Sequence, residues 1–203
     1  MIVMETGPAA TAGDRDTIGG WPLLADGQEW PSCYCGERMV FFFQADLPEG
    51  EHLSVFQCPV HDDAAFAESQ QLPERFWEVG ERFWRIFVQA PGTAADQADP
   101  YVEGRRLTRR EEAETVDQFG RGRPGFKLGG VPSWAQGPEQ YRCACGTEME
   151  FLAQVPENFG FDMWPMKPDH KDEQVQLFLG NELYILACPA RCHPEAAWPV
   201  LQN

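Results

Sequence analysis

Apolar positions first define a set of short strands. Met39 to Leu47 (MVFFFQADL) is a nearly continuous apolar run rich in aromatics, the pattern of a strand covered on both faces. Pro48-Glu49-Gly50-Glu51 has turn chemistry, and His52 to Cys58 alternates, so the two runs predict a hairpin. Phe83 to Gln89 and Glu148 to Pro156 read as further strands. Val175 to Leu179 and Glu182 to Cys188 flank Gly180-Asn181, which predicts a second hairpin with a two-residue turn. Helical signals are sparse. Asp62 to Gln70 and Pro73 to Gly80 suggest single turns, and Thr108 followed by Glu111 suggests a capping box for a helix running to Phe119. Ala90 to Tyr101 is a loop by composition, and Met1 to Thr17, without period, reads as an arm or edge segment.

The pattern repeats. Gly19 to Gln44 matches Gly129 to Gln154 without a gap, with 12 of 26 positions identical, among them Gly19-Gly20, Pro22, Cys33, Cys35-Gly36, Met39, Phe41 and Gln44. A duplicated unit follows. The expected fold is strand-rich α+β, made of two pseudo-symmetric repeats, each with a zinc knuckle and a β-hairpin. Residues 1–17 form an N-terminal arm, 18–100 the first unit, 101–127 a basic connector with a short helix, and 128–203 the second unit. The two units make one compact domain. Asn158 to Glu173 has no counterpart in the first unit and reads as an insertion.

The aromatics Phe76, Trp77, Phe83, Trp84 and Phe87 suit a partner groove or, more simply, a core. Seven of the sixteen basic residues lie between Arg105 and Lys127, where they suit a solvated connector or contact with the chain's own acidic face. Gly120 to Gly125 spells G-x-G-x-x-G, but it follows a predicted helix rather than a strand, so it is no dinucleotide site.

Charge and cysteine count narrow the function. The net charge of −16 lacks the basic footprint that nucleic acid demands, and it favours a basic protein partner. No apolar run approaches membrane-spanning length, and Met1 to Asp14 lacks signal-peptide character, so the expectation is a cytoplasmic protein without membrane contact. In that compartment seven cysteines point to metal or redox chemistry rather than disulfides. Cys33, Cys35, Cys58 and His61 make one set of four ligands. Cys143, Cys145, Cys188 and Cys192 make another. Such closed S/N sets suit two structural zinc ions. Matching His61 to its repeat would select His193 in place of Cys192, while the cysteine count favours Cys192. Buried reduced thiols are the plainer explanation, but Cys-x-Cys-Gly pairs, each with a distant Cys-Pro, are too regular for it. The remaining histidines, His52 and His170, stand alone. No His-Glu-x-x-His, Gly-x-Ser-x-Gly or P-loop occurs, and no catalytic residue is assigned.

The Gly-Gly-x-Pro, Cys-x-Cys-Gly and strand ending in Gln, with Gln-Leu-Phe-Leu-Gly-Asn-Glu-Leu-Tyr, resemble the bacterial YwqG-like family, a domain of unknown function. The same order is similar to the programmed cell death protein 2 family. The resemblance spans roughly Ile18 to Phe66 and Leu128 to Gln202. It implies a duplicated α+β domain. From the second family it implies chaperoning of a basic ribosomal client, and from the first an immunity role against a toxin. The resulting expectation is a non-enzymatic zinc-binding interaction domain, chaperone-like for a basic client. The alternatives are a toxin-neutralising immunity protein and a metal- or thiol-dependent enzyme.

Overall fold

The computed structural model describes residues 1–61, 67, 69–78, 82–164 and 173–203. The first half contributes β1 (Ile2–Ala9), β2 (Thr17–Ile18), β3 (Leu23–Leu24), β4 (Val40–Asp46), β5 (His52–Gln57), β6 (Trp84–Gln89), β7 (Thr93–Ala94) and β8 (Arg105–Glu111). The second contributes β9 (Lys127–Leu128), β10 (Glu150–Val155), β11 (Gly160–Asp162), β12 (Gln174–Gln176), β13 (Glu182–Ala187) and β14 (Ala197–Gln202). Helix is confined to two 3-10 turns, Phe76–Glu78 and Leu177–Gly180, among the described residues. The expected α+β class is therefore corrected to a β fold. Most of the turn expected over 62–70 lies outside the described residues, as does His170.

Ten strands form one antiparallel sheet in the order β14-β13-β10-β9-β1-β8-β2-β4-β5-β6. Read from either end, that order visits equivalent strands, with β1 and β8 at the centre. The equivalence reaches single residues. Thr17 pairs with Gln44 and Ile18 with Phe43, and at the repeat spacing Lys127 pairs with Gln154 and Leu128 with Ala153. Both long ladders bulge at the same place, between Phe41 and Phe43 and between Phe151 and Ala153. Gly19 and Gly20 have φ of 52° and 78°, and Gly129 and Gly130 repeat this with 64° and 77°. A Cβ on Gly19 would also stand 2.6 Å from the Val102 carbonyl oxygen, so that turn admits only glycine.

The expected arm at 1–17 is instead the central strand β1, paired with β8 on one side and β9 on the other. The expected connector helix is likewise strand β8. The Thr108 hydroxyl donates to the Glu5 carbonyl across the ladder, at 3.2 Å, instead of capping a helix. Pairing overrides local propensity here. The arginines of this stretch meet the chain's own acids: Arg109 pairs with Asp16, Arg110 with Glu5, and Arg105 with Glu103.

The first hairpin, β4 with β5, is found as expected. The second differs. β12 pairs with β11, and β13 pairs with β10 across the insertion, so Gly180 ends a 3-10 turn and Asn181 caps it rather than the two closing a hairpin. The sheet curls until its edges face each other. Trp84 of β6 stands edge-on to Trp198 of β14 at 5.6 Å, and the Val88 amide donates to the Pro194 carbonyl at 2.8 Å. The main apolar core draws on both halves, including Phe43, Val55, Ile86, Leu128, Ala153, Ile185 and Val200. Phe76 and Trp84 are buried in this core and Trp77 and Phe83 pack against it, so these aromatics serve packing. Phe87 belongs to a smaller cluster beneath Cys33 and Cys58.

Candidate metal centres

Each Cys-x-Cys-Gly forms the tip of a small hairpin just before a long strand. The Gly36 amide donates to the Cys33 carbonyl at 2.9 Å, and the Cys33 amide donates to the Glu37 carbonyl at 2.8 Å. The second unit repeats both bonds at 2.8 Å, Gly146 to Cys143 and Cys143 to Thr147. Gly36 and Gly146 carry φ of 92° and 87°, which closes the turn and turns both sulfurs of each pair to one side. The neighbouring strand ends supply the remaining donors. Cys58 and Cys188 directly follow β5 and β13, and their amides donate to the Phe83 and Ala196 carbonyls at 2.7 and 2.8 Å.

The result is two groups of four. In the first, the ligand atoms of Cys33, Cys35, Cys58 and His61 all lie within 4.8 Å of one another, and those of Cys143, Cys145, Cys188 and Cys192 do so in the second. Cys35 Sγ stands 3.8 Å from Cys58 Sγ, and His61 Nδ1 stands 3.7 Å from Cys33 Sγ and 3.5 Å from Cys58 Sγ. In the second group Cys143 and Cys192 are 3.4 Å apart, and Cys145 and Cys188 3.5 Å. A tetrahedron with metal–sulfur bonds of about 2.3 Å has edges of about 3.8 Å, so both groups approach the size of such a cage. All seven cysteines are free thiols. His193 lies apart from the second group: its ring stacks on Trp77 at 4.5 Å, and its Nδ1 accepts from the Glu195 amide at 3.1 Å.

Electrostatics within each group is uneven. Burial pushes the Cys33 thiol up to about 12 and the Cys143 thiol up to about 11, and burial also raises Cys192. The exposed Cys35 is lowered, first by the Glu37 amide. The exposed Cys145 is lowered to about 6, first by the Thr147 hydroxyl and then by the Thr147 amide. Thiolates this close, three in the first group and four in the second, repel one another, and a divalent cation among them removes that cost. The donor sets thus fit two structural metal ions, held by Cys33, Cys35, Cys58 and His61 and by Cys143, Cys145, Cys188 and Cys192. Each set fills four positions and leaves none open for a substrate.

Some supporting residues escaped the sequence reading. Thr147 sits 3.3 Å from Cys145 Sγ, and Gln71 reaches from the first unit to donate to the Cys143 carbonyl at 2.9 Å. Asp99, 1% exposed, accepts from the amides of Phe41, Tyr101 and Val102, each at 2.8 Å. The Asp99 signal was a lone acid in a loop, which looks like any solvated carboxylate.

Compared with protein-family models and with curated proteins, the chain matches none. No helix among the described residues is long and apolar enough to cross a membrane.

Proposed function

We propose that this chain is a cytoplasmic zinc protein whose two ions are structural, and that it works without catalysis by binding a basic protein partner, in a chaperone-like manner. The observation that carries the reading is the pair of closed four-donor groups, each made of a knuckle and a strand end. Thiolate-rich tetrahedral sets favour zinc over magnesium or calcium, which take oxygen ligands. Closed coordination supports ions that hold strand ends together rather than ions that activate water. The net charge of −16 favours a positively charged partner through steering and rim contacts.

Two measurements test this. Elemental analysis of protein purified without chelators should give two zinc ions per chain, with thiols masked until zinc is removed. Iron, or fewer than two metal ions, overturns the zinc assignment. Affinity capture at low and high salt, read by mass spectrometry, should recover basic proteins that are lost as salt rises. Recovery of none, or of acidic proteins alone, overturns the partner reading.

A further inference from the structure

The two metal centres share a framework but differ in what surrounds them, so each serves as a control for the other. At the first, Tyr34 lies between the paired cysteines and its ring tilts against that of His61, centroids 4.7 Å apart, while remaining 50% exposed. Val60, beside the ligand His61, is 64% exposed. In the second unit the corresponding positions hold Ala144 and Ala190. The second knuckle makes the same backbone hydrogen bonds without these large side chains, so the metal centre does not require them.

The apolar surface continues beyond the knuckle. Pro59 forms one wall of a cleft of about 230 Å³, with Val40, Phe42, Tyr101, Met163 and Val175 around it. Trp164 follows Met163, and its amide donates to the Tyr101 carbonyl at 2.9 Å. Of the seven large apolar side chains exposed among the described residues, Tyr101 lines this cleft, Val60 and Trp164 directly follow its lining residues Pro59 and Met163, and Tyr34 lies beside His61. Scattered exposure would need no explanation, but large apolar side chains gathered at and next to the lining of one cleft mark a contact surface. Charge favours a basic occupant: Glu37 is exposed in the knuckle, and the chain carries 32 acidic against 16 basic residues.

We propose that this face of the first metal centre is the docking surface of the protein. Its occupant is a segment of a basic protein that sets a large apolar side chain against Val60, Tyr101 and Trp164 and places a flanking Lys or Arg toward Glu37. This rests on the partner reading above and adds its location. Apolar burial supplies affinity, and the acid excess of the chain supplies steering and rate.

The test uses a displayed library of short random peptides selected on the zinc-loaded full chain. The expected winners carry a large apolar residue flanked by Lys or Arg. Binding of the best peptide should fall about tenfold or more in Val60→Ser and in Trp164→Ala. It should be unchanged in Ala190→Ser, the matching position of the second unit. Metal content, measured on each variant, should stay at the wild-type value. Val60→Ser changes a side chain that is mostly in solvent, so it remains informative even where Trp164→Ala disturbs folding. Basic peptides that bind both variants undiminished overturn the location while leaving the partner reading intact. Winners without basic residues that still require Val60 and Trp164 overturn the partner's charge. No enrichment overturns both.

Discussion

Gln44 and Gln154 end the repeated stretch of sequence and lie within β4 and β10, and both are fully buried. Gln44 Oε1 accepts from the Leu23 amide at 2.8 Å, and its Nε2 donates to the carbonyls of Asp14 and Trp21 at 2.9 and 3.1 Å. Gln154 Oε1 accepts from the Ser133 amide at 3.0 Å, and its Nε2 donates to Ser133 Oγ and Glu182 Oε1 at 2.7 and 2.6 Å. Each amide thus ties the loop after the paired glycines to the sheet. Gln44→Leu and Gln154→Leu should each destabilise the protein by about 2–4 kcal/mol, because buried amides and carbonyls lose their partners. A urea midpoint unchanged in either variant would refute that role. Glu182 yields a pH prediction. Burial raises its carboxyl above the ordinary value, against the Glu157 amide and Gln154 that favour the charge. A raised folded value means its contribution is complete below the unfolded value, near about 4.3, and is lost as pH rises through the folded one. The difference in urea midpoint between wild type and Glu182→Gln should therefore move in the variant's favour as pH rises from there. A difference constant with pH would show that Glu182 titrates as in the unfolded chain. The paired glycines, the cysteines and these glutamines were all visible in the sequence because the repeat displays them twice. Asp99 and Thr147 were not, since hydrogen bonding to distant amides and sulfurs leaves no local pattern.

At the scale of elements, the legible strands were those that bury side chains. β4, β5, β6 and β10 are marked by apolar residues, and the structure places them within a residue or two of the expected spans. β1 and β8 were missed because they hold the sheet's centre with little burial. Each buries a single apolar side chain fully, Met4 and Leu107. The remaining positions are largely exposed, and ion pairs such as Arg110 with Glu5 cross the ladder. Without apolar alternation a strand looks like a loop or, with Thr108 and Glu111 well spaced, like a capped helix. Met4 and Leu107 are also equivalent: the Met4 amide donates to the Phe126 carbonyl at 2.9 Å and the Leu107 amide to the Asp16 carbonyl at 2.8 Å. Met4→Ala and Leu107→Ala should each cost about 2–4 kcal/mol. Glu5→Ala, which removes only an exposed pair, should cost under about 1 kcal/mol. Equal losses in the three variants, measured by chemical denaturation, would mean that the exposed ladder rather than the two apolar anchors secures the centre.

Across the whole molecule, each metal centre is also gripped by the other half. The Leu72 amide donates to the Arg142 carbonyl and the Arg142 amide to the Gln70 carbonyl, at 2.9 and 2.7 Å, beside the second knuckle. Near the first, the Phe178 amide donates to Gln57 Oε1 at 2.9 Å. With a core drawn from both halves, the metal-loaded chain should unfold in one calorimetric transition. Removing the metal with a chelator should lower that transition on the order of 10 °C or more, because each site anchors a strand end and the opposite half together. Cys145→Ser alone should lower it as well, through the shared core. Two separable transitions, one unaffected by Cys145→Ser, would show that the halves melt independently.

The place of β1 at the centre of the sheet bears on how the chain is made. β1 leaves the ribosome before the other strands of this sheet, yet both of its neighbours, β8 and β9, are translated about a hundred residues or more later. Four strands of the sheet, β2 with β4, β5 and β6, can assemble as they emerge. The first strand must wait, unpaired, until β8 arrives, and only then can the second half build outward from it. Closing so long a loop costs little stability but much time. The polar, charge-studded character that hid β1 from pattern reading also keeps a strand with two open edges soluble during that wait.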